Sequence, residues 1–200
     1  MSNMRISLDT KRFAESTSDM FTMPSRITLL IGGARSGKSS LAVELATNFG
    51  TPVTFIATAR ALDGDMTSRI NRHRAERPDW PTVESPVDLE EAISSAPLDH
   101  VLVIDCLTMW IANLLLDGIS DEQIVEMNES TLRAAVSRKS PLIAITNEVG
   151  LGVVPVTESG RTYRDVLGRV NQSWATNARN PLFLVAGHVI PLSPVRKVEL

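Results

Sequence analysis

Five short apolar runs recur along the chain, at 27–31, 53–57, 101–105, 142–145 and 182–186, each rich in Val, Ile or Leu. Runs of this length, apolar at successive rather than alternate positions, predict strands buried on both faces. The stretches between them have helical spacing. Residues 38–49 are apolar at Leu41, Val43, Leu45 and Ala46, and residues 63–77 place Met66, Ile70 and His73 on one face at i, i+4 and i+7. Residues 121–138 and 161–178 predict two further helices. The long apolar run 101–116 contains Asp105 and Asn113 and is shorter than the roughly 20 residues of a bilayer span. It reads instead as a buried strand followed by a helix that starts near Thr108. Pro78, Pro81 and Pro86 predict a rigid loop over 78–86.

Strands alternating with helices predict an α/β domain: a mostly parallel sheet, wound right-handedly, with helices on both faces. In such sheets ligands bind at the carboxyl ends of the strands. Residues 1–25 are polar and aperiodic, and predict a flexible extension ahead of one domain spanning 26–200.

Charge and cysteine usage narrow the class. Among 200 residues, 20 Lys+Arg against 23 Asp+Glu give a net charge of −3, which disfavours a nucleic-acid partner but leaves room for a local phosphate site. Cys106 is the single cysteine, so an intramolecular disulfide framework is excluded and a reducing cytoplasm is expected. The first 26 residues hold no continuous apolar segment of the signal-peptide kind.

The strongest chemical signal is Gly32-Gly33-Ala34-Arg35-Ser36-Gly37-Lys38-Ser39, a full G-x-x-x-x-G-K-S match between a predicted strand and a predicted helix. Glycines let backbone N–H groups wrap a polyphosphate, Lys38 reaches the β and γ oxygens, and the Ser39 hydroxyl suits Mg²⁺. Asp105 ends an apolar strand, where it is expected to hold Mg²⁺ opposite Ser39; capping the following helix is its alternative role. Cys106 beside it reads as a small buried residue. Thr146-Asn147-Glu148 reach the same edge, as a polar cluster for the γ-phosphate, the attacking water or a second substrate, or equally as a turn or cap. Asn147 is followed by Glu148, so the N-K-x-D guanine reader is absent and a signalling switch is disfavoured.

The histidines separate by position. His100 precedes a strand and reads as structural, whereas His188 follows the last strand without supporting neighbours. His73 lies in a stretch with Arg69, Arg72, Arg74 and Arg77, where guanidiniums would bind phosphate and keep the imidazole neutral and nucleophilic. A partly buried histidine on an apolar face is the competing reading, slightly favoured by the residues alone. Arg161 and Arg164 share a helix face with Arg169 turned away, which disfavours one phosphate clamp using all three and leaves a solvated charged face as the alternative.

Taken together, these motifs resemble the bifunctional adenosylcobinamide kinase / adenosylcobinamide-phosphate guanylyltransferase family of cobalamin biosynthesis. The matching stretches are 32–39, 55–59, Asp65-Met66 with Arg69-Ile70, His73-Arg74 with Arg77-Pro78, 105–110 through 113–115, 146–155, and then Arg161, Arg164-Asp165, Gly168-Arg169 and Asn171-Gln172. The resemblance covers about residues 26–190 and implies a P-loop NTPase-like fold. It implies that His73 attacks the α-phosphate of GTP and carries GMP as a phosphoramidate; many relatives have two adjacent histidines here, whereas this chain has Arg72 and His73. It implies GTP contacts from the P-loop, Ala57-Thr58-Ala59, Arg74, Ala75, Glu76, Arg77, Glu84 and Asp105. It also implies that ATP or GTP serves the kinase step, that a corrinoid is the second substrate, and that the chain forms a homotrimer. A P-loop small-molecule kinase without nucleotidyl transfer, and a nucleotide-dependent regulatory module, are the competing expectations.

Overall fold

The computed structural model describes residues 25–194. Its single sheet contains β1 (Ile27–Gly32), β2 (Val53–Ala57), β3 (Thr82–Glu84), β4 (Val101–Asp105), β5 (Leu142–Asn147), β6 (Asn180–Val185) and β7 (His188–Pro191). The order across the sheet is β3-β2-β4-β5-β1-β6-β7, parallel throughout except for the antiparallel pair β6–β7. The helices are α1 (Lys38–Asn48), α2 (Gly64–Ala75), α3 (Leu89–Ser95), α4 (Leu107–Leu116), α5 (Asp121–Ser137) and α6 (Glu158–Asn177).

Strand alternation divides the core between the two faces of the sheet. On one face Leu30, Phe55, Val101, Val103, Ile143 and Ile145 pack with Ala42 and Ala46 of α1. On the other, Leu29, Ile56, Leu102, Ile104 and Ala144 pack against Ile93 of α3, Trp110 and Leu114 of α4, Ile124 of α5 and Trp174 of α6. Both tryptophans are fully buried with their N–H groups paired: Trp110 Nε1 donates to Val87 O at 2.7 Å and Trp174 Nε1 to Asn128 Oδ1 at 2.8 Å. A buried indole N–H without such a partner would cost about 1–3 kcal/mol.

All five predicted strands are present, β1 reaching Gly32, β5 reaching Asn147 and β6 running over Asn180–Val185. β3 lies inside the stretch expected to be a loop, and neither α3 nor β7 was predicted. α6 begins at Glu158, earlier than expected, because Thr157 Oγ1 caps it by accepting from Gly160 N at 3.1 Å. The extension expected over 1–25 lies outside the described residues except for Ser25, whose Oγ accepts from Ile27 N at 3.2 Å.

Candidate active site

The turn from β1 into α1 carries the Gly32–Ser39 motif at the carboxyl edge. Gly32 is demanded by packing, since a Cβ there would stand 2.2 Å from the carbonyl oxygen of Leu184 in β6. Gly37 adopts φ 100°, a left-handed conformation that glycine enters at least cost. Lys38 is buried, and its Nζ donates to the carbonyls of Gly32 at 2.9 Å and Gly33 at 2.6 Å. Those bonds hold the ammonium against the loop that would receive a phosphate.

Asp105 closes β4 two strands away from β1, with β5 between them. Val101 and Val103 belong to the α1-side core, so the period of two sends Asp105 to that same side. There it lines a cleft with Ser39, Phe55, His73, Arg77 and Ile145. The Asp105–Cys106 peptide is cis, and the buried Thr58 hydroxyl bridges its far side. Thr58 Oγ1 accepts from Cys106 N and donates to Cys106 O, both at 2.7 Å. Burial, followed by the Asp105 carboxylate, pushes the Cys106 thiol up to about 12.

Helix α2 supplies the outer wall. Asp63 caps its start by accepting from Met66 N at 2.7 Å. None of its described side chains is buried, so its ends do much of the anchoring. Just beyond it, the Arg77 guanidinium lies 3.7 Å over the Phe55 ring, and its Nη2 donates to Thr82 Oγ1 at 2.8 Å. Partial burial, then the charge of Arg74, lowers the Arg77 pKa from its ordinary value. His73 is half-buried with Nδ1 4.0 Å from Asp105 Oδ2, too long for a hydrogen bond. Arg74 lies 3.7 Å from Glu84, an exposed pair contributing at most about 1 kcal/mol.

At the end of β5 a buried polar network fixes the backbone. Thr108 Oγ1 accepts from Asn147 N at 2.7 Å, and Asn171 Nδ2 donates to Asn147 O at 3.0 Å. Thr146 Oγ1 donates to Asn171 Oδ1 at 2.7 Å, tying α6 to the strand. Glu148 N in turn donates to Gly32 O at 3.3 Å, which joins this edge to the P-loop.

The family model for cobinamide kinase / cobinamide phosphate guanyltransferase matches residues 28–192. The chain belongs to this family. It is 44% identical over 167 residues to the bifunctional adenosylcobalamin biosynthesis protein CobP of Pseudomonas aeruginosa, covering 82% of this chain and 95% of that one. With the bifunctional adenosylcobalamin biosynthesis protein CobU of Escherichia coli it shares 38% identity over 173 residues, covering 80% and 95% respectively. A solved protein from Pyrococcus horikoshii OT3, titled a structural study of Project ID PH0250, aligns with a TM-score of 0.54 at 10% identity, over 88% of this chain and 90% of that one. That last likeness concerns the fold alone.

In this cobinamide kinase / guanyltransferase chain, the structure gathers Ser39, His73, Glu76, Arg77 and Asp105 around one cleft. Ala57 ends β2 beside Asp105, and Ala59 is half-buried just after it. Thr58 between them is fully buried with its hydroxyl engaged by Cys106. Gly33, Ala34, Arg35, Arg74, Ala75 and Glu84 are exposed, whereas Ser36 is buried with its Oγ 3.4 Å from Lys38 Nζ. Contrary to the expected grouping of Arg161 with Arg164, it is Arg161 and Arg169 of α6 that line one cavity, with Asp121, Glu158, Thr162 and Asp165. Arg164 stands outside it, so the three form no common clamp. Arg169 pairs with Asp121 at 2.7 Å, Arg164 with Asp165 at 2.8 Å, and Arg161 Nη1 donates to the carbonyls of Pro155 and Val156. His100 is structural, its Nδ1 2.8 Å from Thr54 Oγ1, and exposed His188 opens β7.

One supporting residue, Asn113, has no role assigned to it by the sequence alone. Asn113 Nδ2 donates to Thr58 O at 2.7 Å and to Pro86 O at 2.9 Å, so α4 ties down the segments leaving β2 and β3. A polar residue inside the apolar run 101–116 was the available signal.

Proposed function

We propose that the protein phosphorylates adenosylcobinamide with ATP or GTP and then transfers GMP from GTP to adenosylcobinamide phosphate, giving adenosylcobinamide-GDP. The observation that carries this reading is the meeting of the Ser39 hydroxyl, the Asp105 carboxylate and the His73 imidazole in one cleft beside the P-loop lysine. In the kinase step the aminopropanol hydroxyl oxygen attacks the γ-phosphorus, the bond to the β–γ bridging oxygen breaks, and the nucleoside diphosphate leaves. Lys38 exchanges its loop carbonyls for phosphate oxygens, and positioning and charge neutralisation supply most of the rate. Asp105 and Glu148 are the two candidate bases for the hydroxyl proton.

In the second reaction a His73 nitrogen attacks the α-phosphorus and pyrophosphate leaves. Asp105 faces Nδ1, which leaves Nε2 to the nucleotide. A phosphate oxygen of adenosylcobinamide phosphate then attacks the phosphoramidate, restoring free His73. Arg74 and Arg77 supply positive charge for the anions on this wall, and Glu84 beside Arg74 holds that side chain between turnovers.

Ser39 and Asp105 present a hydroxyl and a carboxylate oxygen, hard donors that fit Mg²⁺. The described residues contain no group of three or more His, Cys, Asp or Glu able to hold a metal, so phosphate oxygens and water would complete the shell. When bound, the ion neutralises charge on the phosphates. We place the enzyme in the cytoplasm as a homotrimer, a reading supported by the single cysteine, by the absence of a helix long and apolar enough to cross a membrane among the described residues, and by family resemblance.

Incubation with GTP labelled at the α-phosphate tests the transferase half. The expected product is protein carrying acid-labile, alkali-stable label that adenosylcobinamide phosphate discharges, and His73→Ala abolishes the label while leaving the fold. Absence of label from wild-type protein that still phosphorylates adenosylcobinamide would overturn that half and leave a simple kinase.

A further inference from the structure

We infer that the side-chain amide of Asn147 hydrogen-bonds the γ-phosphoryl group during the kinase step. This deepens the kinase half of the function proposed above and rests on it. Asn147 ends β5, the strand lying between β1 with the P-loop and β4 with Asp105, and it is in register with Gly32. Ile143 and Ile145 belong to the α1-side core, so alternation along β5 sends the Asn147 side chain to the side of α1, Ser39 and Asp105.

Unusual investment surrounds this one residue. Its N–H is bonded to Thr108 and its C=O to Asn171, side chains from α4 and α6 that are 4% and 6% exposed. Thr146, fully buried, fixes Asn171 in turn. Three polar side chains are therefore kept in or beside an apolar core, where each needs a partner to be tolerated. Both backbone groups of Asn147 are thereby satisfied from the face away from α1. Its own side chain makes no hydrogen bond to any described residue, although it is half-buried and its backbone is in register with Gly32 of the P-loop. A rigid backbone bearing an unpartnered donor beside the phosphate loop is the arrangement that stabilises charge on a transferring group without reorganisation.

The network uses the backbone of Asn147, so Asn147→Ala leaves it in place and is expected to fold normally. The test compares wild type, Asn147→Ala and Asn147→Asp by thermal unfolding, by kinase turnover, by labelling from α-phosphate-labelled GTP, and by affinity for nucleoside triphosphate against diphosphate. Loss of one such donor predicts a fall in kinase kcat of about 100-fold. The preference for triphosphate over diphosphate should shrink by about tenfold, one net charge-assisted hydrogen bond, and the carboxylate of Asn147→Asp should lower both further. At saturating GTP, label on His73 falls much less than kinase turnover, because the bond to the α-phosphorus lies two phosphates from the contact that is lost.

An unchanged triphosphate preference with a raised KM for the acceptor would overturn the inference in favour of acceptor binding. Parallel loss of melting temperature, label and turnover would overturn it in favour of a structural role. The affinity ratio needs no corrinoid, so it tests Asn147 independently of the acceptor's identity. Failure of wild-type protein to phosphorylate adenosylcobinamide would instead count against the proposed function.

Discussion

Cys106 sits directly after Asp105, yet its neighbourhood makes it a poor nucleophile. Burial and the adjacent carboxylate raise the thiol from an ordinary 9.0 to about 12. At pH 8 a thiol with that value is about one part in ten thousand thiolate, against about a tenth for an unperturbed one. Alkylation of the folded protein by iodoacetamide is therefore expected to be slow at pH 8 and to accelerate with each pH unit. Linkage adds a stability effect of fixed sign. Between about pH 9 and 12 the unfolded chain releases a proton that the folded chain keeps, so stability falls as pH rises through that window. Tyr163, raised to about 12 first by burial and then by Cys106, adds to the fall above pH 10. Denaturant unfolding of wild type and Cys106→Ser across pH 8 to 11 checks this, the serine variant losing the part of the slope that begins near pH 9. A rapidly alkylated Cys106 in folded protein at pH 8 would contradict the assignment.

The same neighbourhood shows what was legible at single residues. The sequence places Gly32 to Ser39 after one strand and Asp105 at the end of another because residue type and spacing fix them together, and the structure has them at the ends of β1 and β4. Thr58 was named through resemblance as a nucleotide contact. What the structure adds is its hydroxyl bridging the Cys106 peptide, a role that depends on β2 and β4 ending side by side and leaves no trace in local sequence. Asn171 is hidden for a similar reason, 24 residues from the Asn147 carbonyl it serves.

At the level of elements, the long apolar strands were readable and the short edge strands were not. β3 has three residues and sits among prolines at 78, 81 and 86, too brief for a period of two to register. β7 is set by a two-residue turn in which Ala186 and Gly187 have φ of 50° and 75°, the positive values that close a tight hairpin. α3 has only seven residues, and its carbonyls depend on a distant cation. Arg138, 7% exposed just beyond α5, donates from Nη1 to the carbonyls of Ile93 and Ala96 and from Nη2 to those of Pro97 and His100. A guanidinium here satisfies carbonyls that a helix end leaves without partners and complements its dipole. Arg138→Met is expected to cost about 3 kcal/mol, since it strands buried acceptors, which for a domain of this size is a melting shift of about 6–12 °C. These contacts lie where the chain enters β4, at the opposite end of the strand from Asp105. Nucleotide affinity measured well below the melting temperature should therefore stay within about twofold of wild type; a large loss would show that the amino edge is coupled to the site.

For the whole molecule, the unevenly covered sheet has a counterpart in an unevenly apolar surface. Beyond β5 the chain carries Leu151, Val153, Val154 and Val156 at 79%, 95%, 60% and 93% exposure. The end of this segment is held in shape, because Arg161 Nη1 donates to Pro155 O at 3.1 Å and to Val156 O at 2.8 Å. Clustered exposed apolar side chains on a restrained loop mark an interaction surface, and the proposed homotrimer would bury them. A stable interface needs about 800 Å² from each partner, so the loop would form its apolar centre and other surface its rim. The expected result in sedimentation at tens of micromolar is a trimer for the wild type and a monomer for the double variant Val153→Asp, Val156→Asp, because contact would bury two unpaired carboxylates. Within one chain these side chains face solvent, where such substitutions usually change stability by no more than about 0.5 kcal/mol. The variant monomer should accordingly remain folded by circular dichroism. A wild type sedimenting as a single chain would overturn the trimer, and a double variant that stays trimeric would move the interface to another face.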